Sequence, residues 1–168
     1  MRASSLVLAI AAVAALSACG KSNTVPAASD QAVAPSEPAS APAEATGPTE
    51  AQKALLASLP APYNTGDIEN GKSKFLQCRS CHTITEGGPN MTGPNLFGVF
   101  GRKAGTVASF SYSDGLKTAG WTWDAAQIDK WIENPRALVA DTKMSFAGLK
   151  DAKDRTDVIA YLKVSTSK

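Results

Sequence analysis

The stretch Cys78-Arg79-Ser80-Cys81-His82 decides how this sequence folds, because it places two thiols and an imidazole next to one another. The chain has 168 residues, and it contains only three cysteines and a single histidine. Any metal chemistry must therefore run through His82, the cysteines, the methionines or carboxylates. The formal net charge of +2 is too small to indicate a nucleic-acid partner.

A C-x-x-C-H motif is typical of covalent haem attachment. Two thiols at this spacing on a helical turn can add across the two vinyl groups of haem, and the following His82 can bind the iron. A zinc site would need further cysteine or histidine ligands. A thioredoxin-like pair usually opens a helix, whereas this motif closes one. A plain disulfide would leave the histidine unexplained, so the motif favours one covalently bound haem c.

A sixth iron ligand has to come from methionine, because the chain has no second histidine. Met91 follows His82 so closely that it would have to wrap around the ring edge. Met144 lies on a loop between polar Lys143 and Ser145, where packing in a core is a poor explanation for it. We therefore predict His82 and Met144 as the axial ligands.

Apolar periodicity predicts three main helices, at residues 66–77, 124–134 and 151–163. Thr65 is the predicted N-cap of the first, and Pro135 ends the second. The long segment between the first two is rich in glycine, proline and asparagine. A loop of that length is unusual in a compact domain unless it packs around a large group. The predicted fold is all-α, with long loops wrapped around one haem.

The N-terminus has the pattern of a bacterial lipoprotein signal over residues 1–18. Arg2 precedes an apolar stretch at residues 6–16, which is shorter than the ~20 residues that cross a bilayer. Small residues then lead to Cys19, the predicted site of lipidation. The alternative is an ordinary secretory signal with an incidental cysteine. Several acyl chains on Cys19 would give a stable anchor.

Residues 19–62 are rich in alanine and proline, and the sequence predicts a disordered tether there. Such a chain would span about 35–40 Å. Residues 51–59 could form a short helix, but the sequence gives it little to pack against. The predicted folded domain covers residues 63–168.

From residue 67 to residue 163 the sequence resembles a class I cytochrome c of the mitochondrial and bacterial periplasmic kind. Besides the haem motif, the resemblance rests on Gly71-x-x-x-Phe75 and on the segments 92–96 (TGPNL), 101–105 (GRKAG), 110–112 (FSY), 122–123 (TW), 133–135 (ENP), 142–144 (TKM) and 160–162 (AYL). In that family the Gly-x-x-x-Phe segment packs the first helix against the last.

The resemblance also implies roles around the haem. Pro94 resembles the proline whose carbonyl accepts a hydrogen bond from the axial histidine. Arg102, Tyr112 and Trp123 resemble residues that hold the haem propionates. Further haem contacts are implied for Trp131 and Thr142.

Two positions depart from the family pattern. The family usually has a tyrosine where this chain has Trp131, and often an asparagine where it has Leu116. Both changes remove polarity near the predicted methionine ligand. We therefore expect a drier pocket on that side of the haem, with a changed reduction potential or a changed alkaline ligand switch.

A haem with both axial positions filled leaves one-electron exchange through its exposed edge rather than catalysis, so we predict that the protein is not an enzyme. The resemblance implies partner docking by basic residues around that edge, here Arg136, Lys143, Lys150 and Lys153. The expected partners are a quinol–cytochrome c reductase and a cytochrome oxidase, with the chain itself monomeric. The alternatives are a dedicated donor to one periplasmic reductase or dehydrogenase, and a haem peroxidase or gas sensor.

The expected location follows from the signal and the cofactor. Haem is attached to such chains outside the bacterial cytoplasmic membrane. We expect a periplasm-facing protein of a Gram-negative bacterium, anchored in the cytoplasmic membrane, with the outer membrane as the alternative.

Overall fold

A computed structural model describes residues 47–167 of the chain. The predicted signal, Cys19 and the predicted tether up to residue 46 lie outside the described residues. Six helices are present in that range: α1 Glu50–Ala57, α2 Ile68–Arg79, α3 Asp114–Lys117, α4 Ala125–Glu133, α5 Pro135–Leu138 and α6 Ala152–Thr166. A short 3-10 helix, Tyr63–Thr65, precedes α2.

The described part of the chain contains no β-strand beyond one isolated antiparallel bridge, between Lys103 and Thr122. This agrees with the all-α fold that the sequence predicts. None of the helices described is both long and apolar enough to cross a bilayer.

Helix α2 begins and ends two residues later than predicted. Its N-cap is Asp67, whose carboxylate accepts hydrogen bonds from the amides of Glu69 (2.9 Å) and Asn70 (3.0 Å). A carboxylate at this position also interacts favourably with the positive end of the helix dipole. The prediction of Thr65 as the cap is wrong, because its hydroxyl donates to the carbonyl of Pro62 instead (2.8 Å).

Helices α4 and α6 lie where the sequence predicts them, with small differences at their ends. Asp124 caps α4 and Asp151 caps α6. Pro135 ends α4 as predicted, and it also starts the short helix α5, with Asn134 as its cap. Helix α6 continues past the predicted end at residue 163, because neither glycine nor proline follows there to stop it.

The packing of α2 against α6 is the most extensive helix contact in the described residues. Gly71 makes it close, because a Cβ at this position would overlap the backbone of Asp157. One turn later, Phe75 is 1% exposed and its ring lies 5.4 Å from that of Tyr161. Ile159 of α6 is completely buried in the same core. The Gly71-x-x-x-Phe75 segment therefore joins the two helices.

A buried carboxylate fixes the same pair of helices. Asp157 of α6 accepts hydrogen bonds from the amide of Asp67 (2.8 Å), from the side chain of Asn70 (2.6 Å) and from Lys153 (2.6 Å). Burial raises the pKa of the Asp157 carboxyl, but the hydrogen bonds outweigh burial and the pKa lies below its ordinary value. Asp157 therefore stays ionised at neutral pH and ties the start of α2 to α6.

Helix α1 lies inside the range predicted as tether. The short helix that the sequence allows at residues 51–59 is present, but the expectation that it has little to pack against is wrong. A capping box between Thr49 and Gln52 starts the helix. Leu56 and Leu59 are buried in the main core, and α1 contacts α6 and the 3-10 helix. The sequence analysis missed this because the apolar partner of α1 is the distant α6. The folded domain therefore includes residues from Thr49 onward.

A second, smaller core forms within the long segment that follows the haem motif. Its buried members are Tyr112, Leu116 and Val139. Trp123 and Trp131 pack against both cores and so connect them. The segment predicted as one long loop is thus organised by this core and by the short helix α3.

Replacing Leu56 with alanine should lower the free energy of unfolding by about 2 kcal/mol, because it removes a side chain that is only 8% exposed. Guanidinium denaturation of the haem-loaded protein measures this. Leu76→Ala is the matched control, since Leu76 is 58% exposed and its change should stay within about 0.5 kcal/mol. Equal effects of the two variants would show that α1 is not part of the folded domain.

Candidate functional site

The two motif cysteines lie where α2 ends. Cys78 is in the last turn of the helix, and the amides of Cys81 (3.1 Å) and His82 (3.0 Å) both donate to its carbonyl. This turn brings the second thiol and the imidazole close to the first thiol. Both thiols are free and half-buried.

The protonation of the Cys78 thiol argues against a redox pair. Burial, with a smaller contribution from Cys81, raises its pKa to about 11. Reactive C-x-x-C pairs instead have a thiol whose pKa is lowered well below 8. The described residues also contain no group of three or more histidine, cysteine, aspartate or glutamate side chains that could hold a metal ion. The raised pKa of the Cys78 thiol weakens the thioredoxin alternative.

His82 is held in one tautomer. Its Nδ1 lies 2.7 Å from the carbonyl oxygen of Pro94, so Nδ1–H donates this hydrogen bond and Nε2 keeps its lone pair. Burial lowers the pKa of His82, and the nearby Arg102 lowers it further against the opposing effect of the Pro94 bond. A neutral imidazole with one fixed N–H is the form that ligates a metal.

Glycine at position 93 allows the chain to cross the imidazole ring closely. A Cβ built on Gly93 would overlap the ring atoms of His82. The amide of Gly93 donates to the carbonyl of Cys81 (2.9 Å), which fixes this crossing. The chain therefore folds back over its own haem motif.

Asn95 holds the folded-back loop in place, although the sequence analysis gave it no role. Its side-chain amide donates to the hydroxyl of Thr83 (2.7 Å) and to the carbonyl of Thr85 (2.9 Å). Its Oδ1 accepts from the amide of Phe97 (2.7 Å). One asparagine therefore joins both arms of the loop, and its position directly after Pro94 was the available signal.

The three residues predicted to hold propionates come together. The amide of Trp123 donates to the carbonyl of Arg102 (2.9 Å). Burial raises the pKa of the Tyr112 hydroxyl, and the positive charge of Arg102 opposes this by lowering it. The guanidinium of Arg102 also donates to the carbonyls of Phe97 and Asn95, both at 3.1 Å. It therefore connects the loop that holds His82 with the segment that carries Trp123.

Thr142, Met144 and Trp131 are the residues predicted on the methionine side of the haem. Their contacts with the haem remain predictions. Thr142 is 5% exposed, and its hydroxyl accepts from the amide of Met144 (3.2 Å). Met144 itself is half-buried, whereas Met91 is 47% exposed. The exposed side chain is the poorer candidate for an iron ligand. Trp131 lies against Trp123, with ring centroids 5.6 Å apart.

The loop that carries Met144 is fastened to α4 by a buried arginine. Arg155 of α6 donates to Asp129 (2.8 Å) and to the carbonyls of Leu149 (3.0 Å) and Lys150 (2.9 Å). The amide of Leu149 in turn donates to the carbonyl of Ile132 (2.7 Å). The far end of the loop is therefore fixed, which limits how far Met144 can move.

The four residues predicted for partner docking differ in whether their charges are compensated by other groups of the protein. Arg136 and Lys143 are exposed, and Lys143 donates to the backbone and hydroxyl of Ser111, both at 2.9 Å. Lys150 donates to the carbonyl of Glu133 (2.8 Å). Lys153 pairs with the buried carboxylate of Asp157 at 2.6 Å, so its charge is compensated within the protein. This pairing weakens the prediction for Lys153.

The sequence analysis also missed Trp121. Its indole Nε1 is buried, and so is Nε2 of Gln127, and neither has a hydrogen-bond partner within the described residues. The available signal was the alternation Trp121-Thr122-Trp123, which places two indoles on one face of an extended segment.

These residues fit a covalently bound haem. The group requires two thiols and a neutral imidazole with a fixed tautomer, and the chain provides them. Gly93 leaves space beside that imidazole. Arg102 and Tyr112 supply donors for carboxylates.

Comparisons with known proteins agree with this fit. The family model for cytochrome c matches residues 68–166. The chain is 42% identical to a cytochrome c of Kluyveromyces lactis over 105 residues, covering 62% of this chain and 96% of that protein. It is 48% identical to a cytochrome c2 of Rhodoplanes tepidamans over 96 residues, covering 57% and 90%. A cytochrome c2 of Rhodomicrobium vannielii is 47% identical over 100 residues, covering 60% and 80%.

Gly93→Ala should displace the His82 ring and weaken its bond to Pro94, because the added methyl group has no free space. We expect a loss of about 2 kcal/mol or more in unfolding free energy and a weakened low-spin absorption spectrum. Gly47→Ala is the control, since nothing lies within 4 Å of a Cβ at that position. An unchanged spectrum in Gly93→Ala would contradict the proposed crowding of the imidazole.

Proposed function

The chain belongs to the cytochrome c family, and from this premise we propose that it is a membrane-anchored electron carrier between a quinol-oxidising complex and a terminal oxidase. As a member of the family it carries one covalently attached haem c and transfers electrons. The observation that carries the proposal is the single fixed imidazole of His82 directly after two free thiols. The membrane anchor and the place in a respiratory chain are our proposals.

Bound haem supplies a one-electron couple at its iron. Cys78 and Cys81 would hold the group covalently, and His82 would present Nε2 to the iron. The bond from Nδ1 to Pro94 keeps the imidazole oriented and raises its basicity as a ligand. Met144 would be the second residue that holds the iron, which would leave no open position for a substrate. A thioether ligand favours the reduced iron, and so raises the reduction potential relative to two imidazoles.

The buried aromatic residues around this site would keep water away from the haem. Tyr112 and Leu116 are each less than 10% exposed, and Trp123 and Trp131 join this cluster to the main core. A site whose groups are fixed by packing changes little when the iron gains or loses an electron. Small rearrangement favours fast electron exchange over chemistry at the metal.

Docking to redox partners would use the exposed charges of Arg136 and Lys143. Lys150 keeps its charge as Lys143 does, because its ammonium group is bonded only to the backbone carbonyl of Glu133. Lys153 contributes less, because it pairs with the carboxylate of Asp157. Few free charges make long-range electrostatic attraction weak. Anchoring through lipidated Cys19 would instead keep the domain near partners in the cytoplasmic membrane, on its periplasmic side.

Whether Met144 binds the iron distinguishes an electron carrier from a protein that binds small ligands at the iron. We expect the oxidised protein to show the weak far-red band of a methionine–iron bond and to resist carbon monoxide in the reduced form. Met144→Ala should lose the band and bind carbon monoxide. Met91→Ala is the matched control and should behave as the unmodified protein, because Met91 is exposed. Absence of the band from the unmodified protein, with rapid carbon monoxide binding, would favour a peroxidase or gas sensor.

The anchor is tested by expressing the full chain and Cys19→Ser in a Gram-negative host that attaches haem. The unmodified protein should sediment with membranes until detergent is added, and mass spectrometry should find acyl chains on Cys19. The variant should be soluble yet retain its haem, because Cys78 and Cys81 are unchanged. Equal sedimentation without acylation would contradict the anchor. In the same membranes, quinol should reduce the haem and oxygen should reoxidise it, whereas reduction by one added dehydrogenase alone would indicate a dedicated donor.

A further inference from the structure

Asp141 attaches the near side of the loop that carries Met144 to the rest of the domain. It lies three positions before Met144, and its carboxylate accepts a hydrogen bond from the backbone amide of Gly115 in α3 (3.0 Å). Arg155 of α6 holds the same loop beyond Met144, by its bonds to two backbone carbonyls. The methionine therefore lies between two attachment points, one on α3 and one on α6.

Glycine at position 115 makes the attachment to α3 possible. A Cβ at Gly115 would overlap the carboxylate of Asp141 and would lie only 2.9 Å from the side chain of Val139. Val139 is buried with Tyr112 and Leu116 in the smaller core. Helix α3 and the start of the loop are thus in direct contact, and the missing side chain leaves room for the carboxylate to reach the amide.

Backbone turns connect the position of Asp141 to that of Met144. The next residue is Thr142, whose amide donates to the carbonyl of Val139 (3.1 Å). The hydroxyl of the buried Thr142 accepts a hydrogen bond from the amide of Met144 (3.2 Å). A displacement of Asp141 would therefore move the groups that orient Met144.

A second attachment on the near side limits what the loss of the Asp141 bond can do. Lys143 donates to the carbonyl and to the hydroxyl of Ser111, both at 2.9 Å, and Ser111 lies just before α3 in the chain. Removing the bond between Asp141 and Gly115 should therefore loosen the loop rather than release it. The expected effect is that of one hydrogen bond.

We propose that Asp141 is a positioning residue, which keeps Met144 at the iron by holding the start of its loop against α3. The inference rests on the proposed binding of the iron by Met144, and it does not depend on the membrane anchor or the redox partners. Asp141 is exposed, so its charge is solvated and acts weakly over distance. Its hydrogen bond to Gly115, rather than its charge, is the proposed cause.

Titration of the oxidised, haem-loaded full chain with imidazole tests the proposal. Imidazole binds the iron only after the iron–sulfur bond to Met144 has broken, and the iron keeps its oxidation state in this exchange. The apparent dissociation constant is therefore the intrinsic one divided by the fraction of protein in which that bond is open. Asp141→Ala should bind imidazole about five times more tightly, which is the effect of losing one hydrogen bond.

Two matched variants separate the hydrogen bond from the charge. Asp141→Asn keeps a side-chain oxygen that can accept from Gly115, so its affinity for imidazole should stay close to that of the unmodified protein. Glu69→Ala also removes one exposed negative charge, from a carboxylate that lies 4.0 Å from Lys72 on the same helix. This variant should leave the affinity unchanged.

Gly115 provides two further measurements. Gly115→Ala should also tighten imidazole binding, because the added methyl group displaces the carboxylate. In the double variant with Asp141→Ala, the second substitution should add less than it does alone, since both remove the same contact. Hydrogen exchange at the amide of Gly115 should be faster in Asp141→Ala than in the unmodified protein, whether or not Met144 binds the iron.

Equal affinities for imidazole in Asp141→Ala and in the unmodified protein would overturn the proposal. An equal increase in Asp141→Ala and Asp141→Asn would also overturn it, because the effect would then come from the charge. Both results leave Met144 as the iron ligand when the unmodified protein shows its far-red band. Absence of that band would instead contradict the binding of the iron by Met144, and this inference with it.

Discussion

The close contact between α2 and α6 at Gly71 is the constraint on which the rest of the structure depends. Because glycine has no side chain, the backbone of α2 can lie directly against that of Asp157, and Phe75 of α2 packs on Tyr161 of α6. The same contact fixes where α2 ends, and with it the positions of Cys78 and His82. It also fixes α6, whose Arg155 holds the loop that carries Met144. One helix pair thus supports both predicted iron ligands.

Hydrogen bonds to backbone carbonyls position the other side chains of the site. His82 is oriented by Pro94, and Arg102 spans from the carbonyls of Asn95 and Phe97 to the segment that carries Trp123. These groups come from parts of the chain with little regular secondary structure. In such segments the polar backbone groups are satisfied by side chains rather than by helix or sheet ladders. Substitutions at Asn95 or Arg102 should therefore disturb loop geometry as well as charge.

The sequence was most informative where chemistry and local pattern coincide. The haem motif needs no partner outside five consecutive residues to be recognised, and α4 and α6 carry their own caps at Asp124 and Asp151. The start of α2 was misplaced because Thr65 and Asp67 are both plausible caps, and only the contact with Asp157 favours the second. The packing of α1 was missed for a related reason. Its partner α6 is distant in sequence, and the contact depends on the tertiary structure.

The packing of α1 on α6 shortens the proposed connection between Cys19 and the folded domain. With Leu56 and Leu59 buried, the free connection to Cys19 would stop near Thr49 rather than at Pro62. A connection of about 30 residues has a root-mean-square reach of roughly 30 Å, compared with roughly 36 Å for about 43 residues. The volume that a domain anchored in this way would explore shrinks accordingly, so its local concentration at a partner in the same membrane would rise by about 1.7-fold. Under the proposed anchoring, a packed helix of two turns would set how often the carrier meets its partners.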